Sequence, residues 1–264
     1  MTAAKAAGPR RRLRCLVLDD ARAVCLGNEP VRVDGAVHEL DNLRVELADT
    51  SHGIVRHLQV FASTAAITQF LPALLAEYGD LHPEVQVELE EQVSQQVVAA
   101  VREGRADLGV YVSGPDLCGL DARDFRSDEL VLILPPGHRL AGRTPLPFAE
   151  ALDERWISLH AGAALLEAQQ RAAMAAGRTL KLRMQVRSFD AVGHLVACSL
   201  GIAALPKGVA LPMVRAMKLR WRALADPWAR RQLQVAIRPD ADATVVALRD
   251  FLLPTSQSAK AGRA

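Results

Sequence analysis

Between residues 58 and 112 the hydrophobic period of the sequence keeps switching, and that alternation constrains the fold more than any other feature. "LQVFA" (58–62) is a short apolar run, and "AAITQFLPALLAEYGD" (65–80) carries Ile67, Phe70, Leu71 and Leu74 at helical spacing. "VQVELEE" (85–91) alternates Val85, Val87 and Leu89 with Gln86, Glu88 and Glu90, the period-two pattern of a half-exposed strand. "SQQVVAAVREGRA" (94–106) returns to a helical pattern, with Ser94 as its expected cap, and "DLGVYV" (107–112) is again strand-like. A β-α-β-α-β order needs crossover connections, and crossovers build a mainly parallel sheet covered by helices.

The alternation continues to the C-terminus. "ELVLILPP" (129–136) is a strand ending at a double proline, and "PPGHRLAGRTPLP" (135–147) reads as a connection between two domains. Beyond it, "WISLHAG", "LKLRMQV", "IAALP", "LRWRAL" and "LQVAIRP" read as strands. "ALLEAQQRAAMAAG", ending at Gly177, "SFDAVGHLVACSLG" and "ATVVALRDFLL" read as helices. The expected class is therefore α/β, with a mainly parallel sheet in each half.

Residues 1–37 follow another pattern. They hold charges and glycines without a long helical stripe; "RCLVLDD" reads as a short strand and "ARAVCLGN" as a short helix ending at Gly27. Lys5, Arg10, Arg11, Arg12 and Arg14 concentrate positive charge there, either as a solvated tail or as a nucleic-acid contact. No apolar core region follows them, so a secretory signal is not expected. "VHELDNLRVELADTSHG" (37–53) sets Leu40, Leu43 and Leu47 at helical spacing, with Gly53 as its stop, and such a stripe needs a partner surface.

Composition narrows the function classes. Half of the 264 residues are apolar and the formal net charge is +2, which does not demand a nucleic-acid partner. No apolar run approaches the ~18 residues of a membrane span. Cys15, Cys25, Cys118 and Cys198 show no CxxC spacing and read as reduced thiols of a cytoplasmic protein. The histidines (His38, His52, His57, His82, His138, His160, His194) show no metal-ligand spacing; His194 reads as core or interface and Cys198 as buried. Neither G-x-S-x-G, G-x-G-x-x-G nor a P-loop occurs, so no enzyme, metal or cofactor is expected.

What remains are hydroxyls where strands hand over to helices. Ser63 and Thr64 stand between "LQVFA" and the first helix, and Ser188 stands before "FDAVGHLV". Each serine is either a helix cap or part of a site for a small anion, since helix starts satisfy both roles. Ligands of parallel sheets bind at the carboxyl ends of the strands. There, Val112 and Ser113 of "VSGPD", and His160, Ala161 and Gly162 of "LHAGA", would line the same cleft, with Phe189 beside Ser188 and Gln92 within reach.

Taken together, "LQVFASTAAITQFLPALLAEYGDLHPEVQVELEE", "VREGRADLGVYV", "LVLILPPGHRLA" and "VRSFDAVGHLVACSLGIAALP" resemble the effector-binding domain of LysR-type transcriptional regulators, over about Leu58 to Leu253. The resemblance implies a two-lobed fold of the periplasmic-binding-protein type (type 2). Lobe one would be 58–134 with 223–254, lobe two 135–222, and 255–264 a disordered tail. It implies a small organic anion or aromatic metabolite held in the interlobe cleft by Ser63, Thr64, Val112, Ser113, His160, Ala161, Gly162, Ser188 and Phe189. It also implies a homo-oligomer, with the helices around "ITQFLPALLAEY" and "AVGHLVACSLG" pairing antiparallel across a two-fold axis. "ELDNLRVELADTSHGIVRH" resembles the end of the family's linker helix, placing its remnant at 38–57. The family's winged helix-turn-helix is not matched in residues 1–37, so DNA contact is expected only through an intact reader or a partner chain. A stand-alone solute-binding protein for transport shares the fold but needs export.

Overall fold

A computed structural model of the protein describes residues 23–26, 29–32, 56–117 and 119–254. The chain divides into two units, Met1–Thr50 and Ser51–Ala264. In the first unit, β1 (Ala23–Leu26) pairs antiparallel with β2 (Glu29–Arg32), Leu26 opposite Glu29. The short helix expected over "ARAVCLGN" is therefore a strand. The Gly27-Asn28 pair between the strands is a two-residue hairpin signal that outranks a weak helical pattern. The strand expected in "RCLVLDD", the helix over 37–53 and the tail 255–264 lie outside the described residues.

The second unit runs β3 (Arg56–Ala62), α1 (Thr64–Gln69), α2 (Leu71–Leu81), β4 (Val85–Glu91), α3 (Ser94–Arg102), β5 (Leu108–Val112) and β6 (Asp121–Leu134). It continues with α4 (Phe148–Ala151), β7 (Trp156–Leu159), α5 (Ala164–Ala175), β8 (Leu182–Val186), α6 (Phe189–Ala197) and β9 (Ala203–Pro206). It closes with α7 (Lys207–Ala216), β10 (Arg220–Ala223), β11 (Arg230–Ile237) and α8 (Ala243–Leu252).

The first lobe is a sheet in the order β4-β3-β5-β11-β6. β3 pairs parallel with β4 and β5, whereas β11 is antiparallel to β5 and β6. One face buries Leu58, Val60, Leu108 and Val110 with Leu71, Tyr78 and Leu248. The other buries Phe61 and Tyr111 against Val97 and Val101 of α3. Both faces of β3 and β5 are thus covered, which is why these strands read as unbroken apolar runs. Gly109 is what lets α3 lie close: a Cβ there would stand 2.7 Å from Val97 Cγ1 and 2.8 Å from Val101 Cγ2.

β6 serves both lobes. Its first part, Asp121–Glu129, pairs with β11, and its last residues, Leu130–Leu134, pair with β9 and β10 inside the second core. That core gathers Leu130–Leu134 with Trp156, Ile157, Val192, Val196 and Leu205. β7 pairs parallel with β8 and is bridged to the start of β9 at Trp156–Ile202.

Several local expectations change in the folded chain. The helix over 65–80 is two helices: Pro72 has no N–H to donate to the Thr68 carbonyl, so the chain turns at Phe70 (φ −126°) and Pro72 sits in the first turn of α2. Ser94 does not cap α3; Val93 holds that position, and Ser94 Oγ accepts from the Val112 N–H at 3.3 Å. β6 begins at Asp121 rather than Glu129, its charged first part being the edge of the first sheet. α7 is a further helix, hidden in the sequence by Pro212 inside it and carried by burial of Val209 and Ala210. On α6, His194 is exposed and pairs with Asp190 at 3.5 Å, and Cys198 is exposed rather than buried.

Where β6 passes between the lobes beside β11, Arg231 stands directly opposite Asp128. Arg231 Nε donates to Asp128 Oδ1 at 2.8 Å and Nη2 donates to Oδ2, with side chains only 7% and 2% exposed. Gln69 Nε2 also donates to Asp128 Oδ2, at 3.3 Å. The fork-on-carboxylate geometry answers most of the desolvation of both charges.

Two outcomes follow for stability. Gly109→Ala overpacks the β5–α3 contact and should cost about 1–3 kcal/mol in urea unfolding. Arg231→Met should cost about 3–5 kcal/mol because it strands the buried Asp128 carboxylate, and the double variant Asp128→Leu/Arg231→Met should recover most of that loss. Equal losses in the single and double variants would contradict the pairing.

Candidate functional site

The carboxyl ends of β3, β5 and β7 and the starts of α1, α3, α5 and α6 surround a small pocket of about 30 Å³ between the lobes. Its polar lining is Ser63, Thr64, Gln92, Ser94 and Arg231. Its apolar lining is Ala65, Val93, Val112, Leu159, Ala163, Ala164, Leu165 and Phe189. A larger outer chamber of about 310 Å³ shares Ser94, Val112, Ala164 and Arg231 with it and extends to Gln95, Ser113, Glu167, Arg171 and Arg230. Gln95 Nε2 donates to both Glu167 oxygens, at 3.1 and 3.4 Å, tying α3 of one lobe to α5 of the other.

Ser63 occupies the N-cap position of α1, yet its side chain makes no capping bond. The residue is 6% exposed, and Oγ is buried without a hydrogen-bond partner. A buried hydroxyl left unpaired is destabilising, and here it lines the pocket. Thr64 differs: its Oγ1 donates to Glu91 Oε1 at 2.6 Å.

Ser188 is the converse case. Its Oγ accepts from the Ala191 N–H at 3.2 Å, so it caps α6, and its side chain is exposed. Its neighbour Phe189, 4% exposed, forms part of the pocket wall. Thus two serines in matching sequence settings have separated roles.

The loop after β7 closes over the same region. Gly162 has φ +85°, a conformation suited to glycine, and a Cβ there would lie 3.6 Å from Val93 Cγ1 of the first lobe. His160 Nδ1 donates to the Ala161 carbonyl at 2.9 Å, and neither His160 nor Ala161 belongs to the lining of the two chambers. Val112 lines both chambers and Ser113 the outer one. On the opposite face of β5, burial and the nearby Asp124 push the Tyr111 hydroxyl up to about 12, so it stays protonated beside Gln234 Oε1, at 3.4 Å.

Among the polar lining residues, sequence reasoning did not select Ser94, Gln95, Glu167, Arg171, Arg230, Arg231 and Gln232 for the site. Arg231 lies in "RRQLQV", and nothing in that run separates the buried arginine from its exposed neighbour Arg230. Strand alternation is the one available signal: Leu233 and Val235 share its face. Among the described residues there is no cluster of metal-ligating side chains and no helix long and apolar enough to cross a membrane.

The regulatory domain of CcmR from Synechocystis PCC6803, solved with 2-PG, matches 75% of this chain and 96% of its own, with a TM-score of 0.68 at 22% identity. The effector-binding domain of QuiR, solved with shikimate, matches 75% of this chain and 95% of its own, with a TM-score of 0.65 at 15% identity. Both likenesses show the two-lobed fold.

In sequence, the chain is 27% identical over 179 residues to the HTH-type transcriptional regulator YeiE of Escherichia coli, covering 62% of this chain and 60% of that protein. It is 24% identical over 169 residues to the regulator CysL of Bacillus subtilis, covering 64% and 56%. The chain thus spans about three fifths of the length of these curated relatives. The family model for the LysR substrate binding domain matches residues 51–257, and the chain belongs to that family.

Proposed function

We propose that this chain senses a small organic anion or aromatic metabolite in the interlobe pocket, and that the sensing serves transcription regulation. The buried, unpartnered Ser63 hydroxyl carries the reading: a donor without a partner, in a pocket walled by apolar side chains, suits an oxygen of a bound ligand. Two structural neighbours, one with 2-PG and one with shikimate, and the curated regulators support the same assignment.

In this proposal Ser63, Thr64, Val112 and Phe189 contact the effector directly. Ser113 takes part from the outer chamber. Gly162 brings the loop of His160 and Ala161 against Val93 beside the pocket, and Ser188 holds the start of α6 in place. The chain acts as a cytoplasmic sensor without catalysis, and any DNA contact belongs to an N-terminal reader or a partner chain. The lobes pair into a homo-oligomer through α2 and α6, where Leu74 and Leu75 are half-buried and Leu195 and Ala197 likewise.

Two measurements test this. Light scattering at tens of micromolar should give a mass above that of one chain; a monomer mass would remove the oligomer. Ser63→Ala should leave thermal stability unchanged or slightly raised, since no cap is lost and an unpaired hydroxyl is removed. The same variant should weaken effector binding by roughly 1.5–3 kcal/mol, about ten- to a hundredfold, in calorimetric titration with small carboxylates. Lost stability with unaltered affinity would make the residue a structural cap instead.

A further inference from the structure

The two chambers of the interlobe pocket differ in charge. The inner one offers Ser63 Oγ, buried and unpaired, amid apolar walls. The outer one is lined by Arg171, Arg230 and Arg231, with Glu167 as its one acidic lining residue. Arg231 is committed to Asp128, and Glu167 accepts from Gln95 across the cleft. Among the described residues, no hydrogen bond or ion pair engages the side chains of Arg171 and Arg230. Both residues are solvent-exposed, and their unpaired guanidinium groups line a chamber that adjoins the inner one along Ser94, Val112, Ala164 and Arg231.

We propose that the effector is an elongated dianion, an α,ω-dicarboxylate or a phosphorylated carboxylic acid, with one acidic group at Ser63 and the other at Arg171 and Arg230. The inference rests on the effector-binding reading of the same pocket. An apolar tail in the outer chamber would take water from two arginines and return no partner, which is unfavourable. A second anionic group supplies that partner in charge-assisted hydrogen bonds, for which guanidinium geometry is suited. The placement also assigns the second charge a conformational role. Arg171 lies on α5 of the second lobe and Arg230 begins β11, so one anion between them draws the lobes together beside the Gln95–Glu167 contact.

The test is calorimetric titration of the full chain with succinate against butyrate and glutarate against valerate, pairs equal in length that differ by one terminal carboxylate. The dicarboxylate should bind at least about tenfold tighter within a pair, and added salt should reduce that preference. Arg171→Gln and Arg230→Gln should each erase most of the preference while leaving monocarboxylate affinity within about twofold. If the pairs bind equally, or the arginine variants keep the preference, and Ser63→Ala still weakens both members, the dianion proposal fails and the effector-binding reading stands. If no member binds the wild-type chain at millimolar concentration, both fail.

Discussion

The fold depends on one strand that belongs to both lobes. β6 leaves the first sheet and enters the second core without interruption, and β11 returns beside it. At the passage Asp128 faces Arg231 in cross-strand register. A buried ion pair is poor evidence of net stability, because desolvation offsets much of the attraction. Its geometric demand is strict, however: a slip of one residue between β6 and β11 would put the two charges on opposite faces of the sheet. The pair therefore ties register at the point where the lobes join, and the same arginine lines both chambers of the pocket.

The pocket inherits its character from this arrangement. Its walls are ends of elements whose bodies lie in separate cores: β3, β5 and α3 in one, β7, α5 and α6 in the other. Each core is satisfied without the pocket, so the residues at its rim are free to be imperfect. Ser63 shows the imperfection most plainly, as a buried hydroxyl with no partner where a cap would have been the cheaper arrangement. Local rules that fail in an otherwise consistent fold tend to fail at functional positions.

Much of the architecture was legible because burial on both sheet faces writes itself into the chain as apolar runs. β3, β5, β7 and β9 lie where short runs of Val, Leu, Ile and Ala predicted strands, and Gly177 ends α5 with φ +67° as a helix stop does. The misreadings share one cause. Pro72 and Pro212 are the same signal in the sequence, yet one divides a helix and the other sits inside one, since packing around Val209 and Ala210 outweighs the lost bond. The charged first part of β6 carried no apolar period because it is a sheet edge, and the strand in "ARAVCLGN" needed its partner β2 to exist.

The sequence by itself determined the alternation of strands and helices and the hydroxyls at strand-to-helix junctions. These are local properties, set by side-chain period and backbone preference within a few residues. Which serine caps and which is left unpaired was decided only by tertiary structure. Ser188 and Ser63 stand in like settings, but one is exposed beside a free N–H and the other is buried under the facing lobe. The meeting of Arg231 with Asp128, 103 positions apart, was likewise beyond local pattern. So was the placing of Arg171 and Arg230 in one chamber, since neighbourhood across the cleft is fixed by how two cores pack along a shared strand.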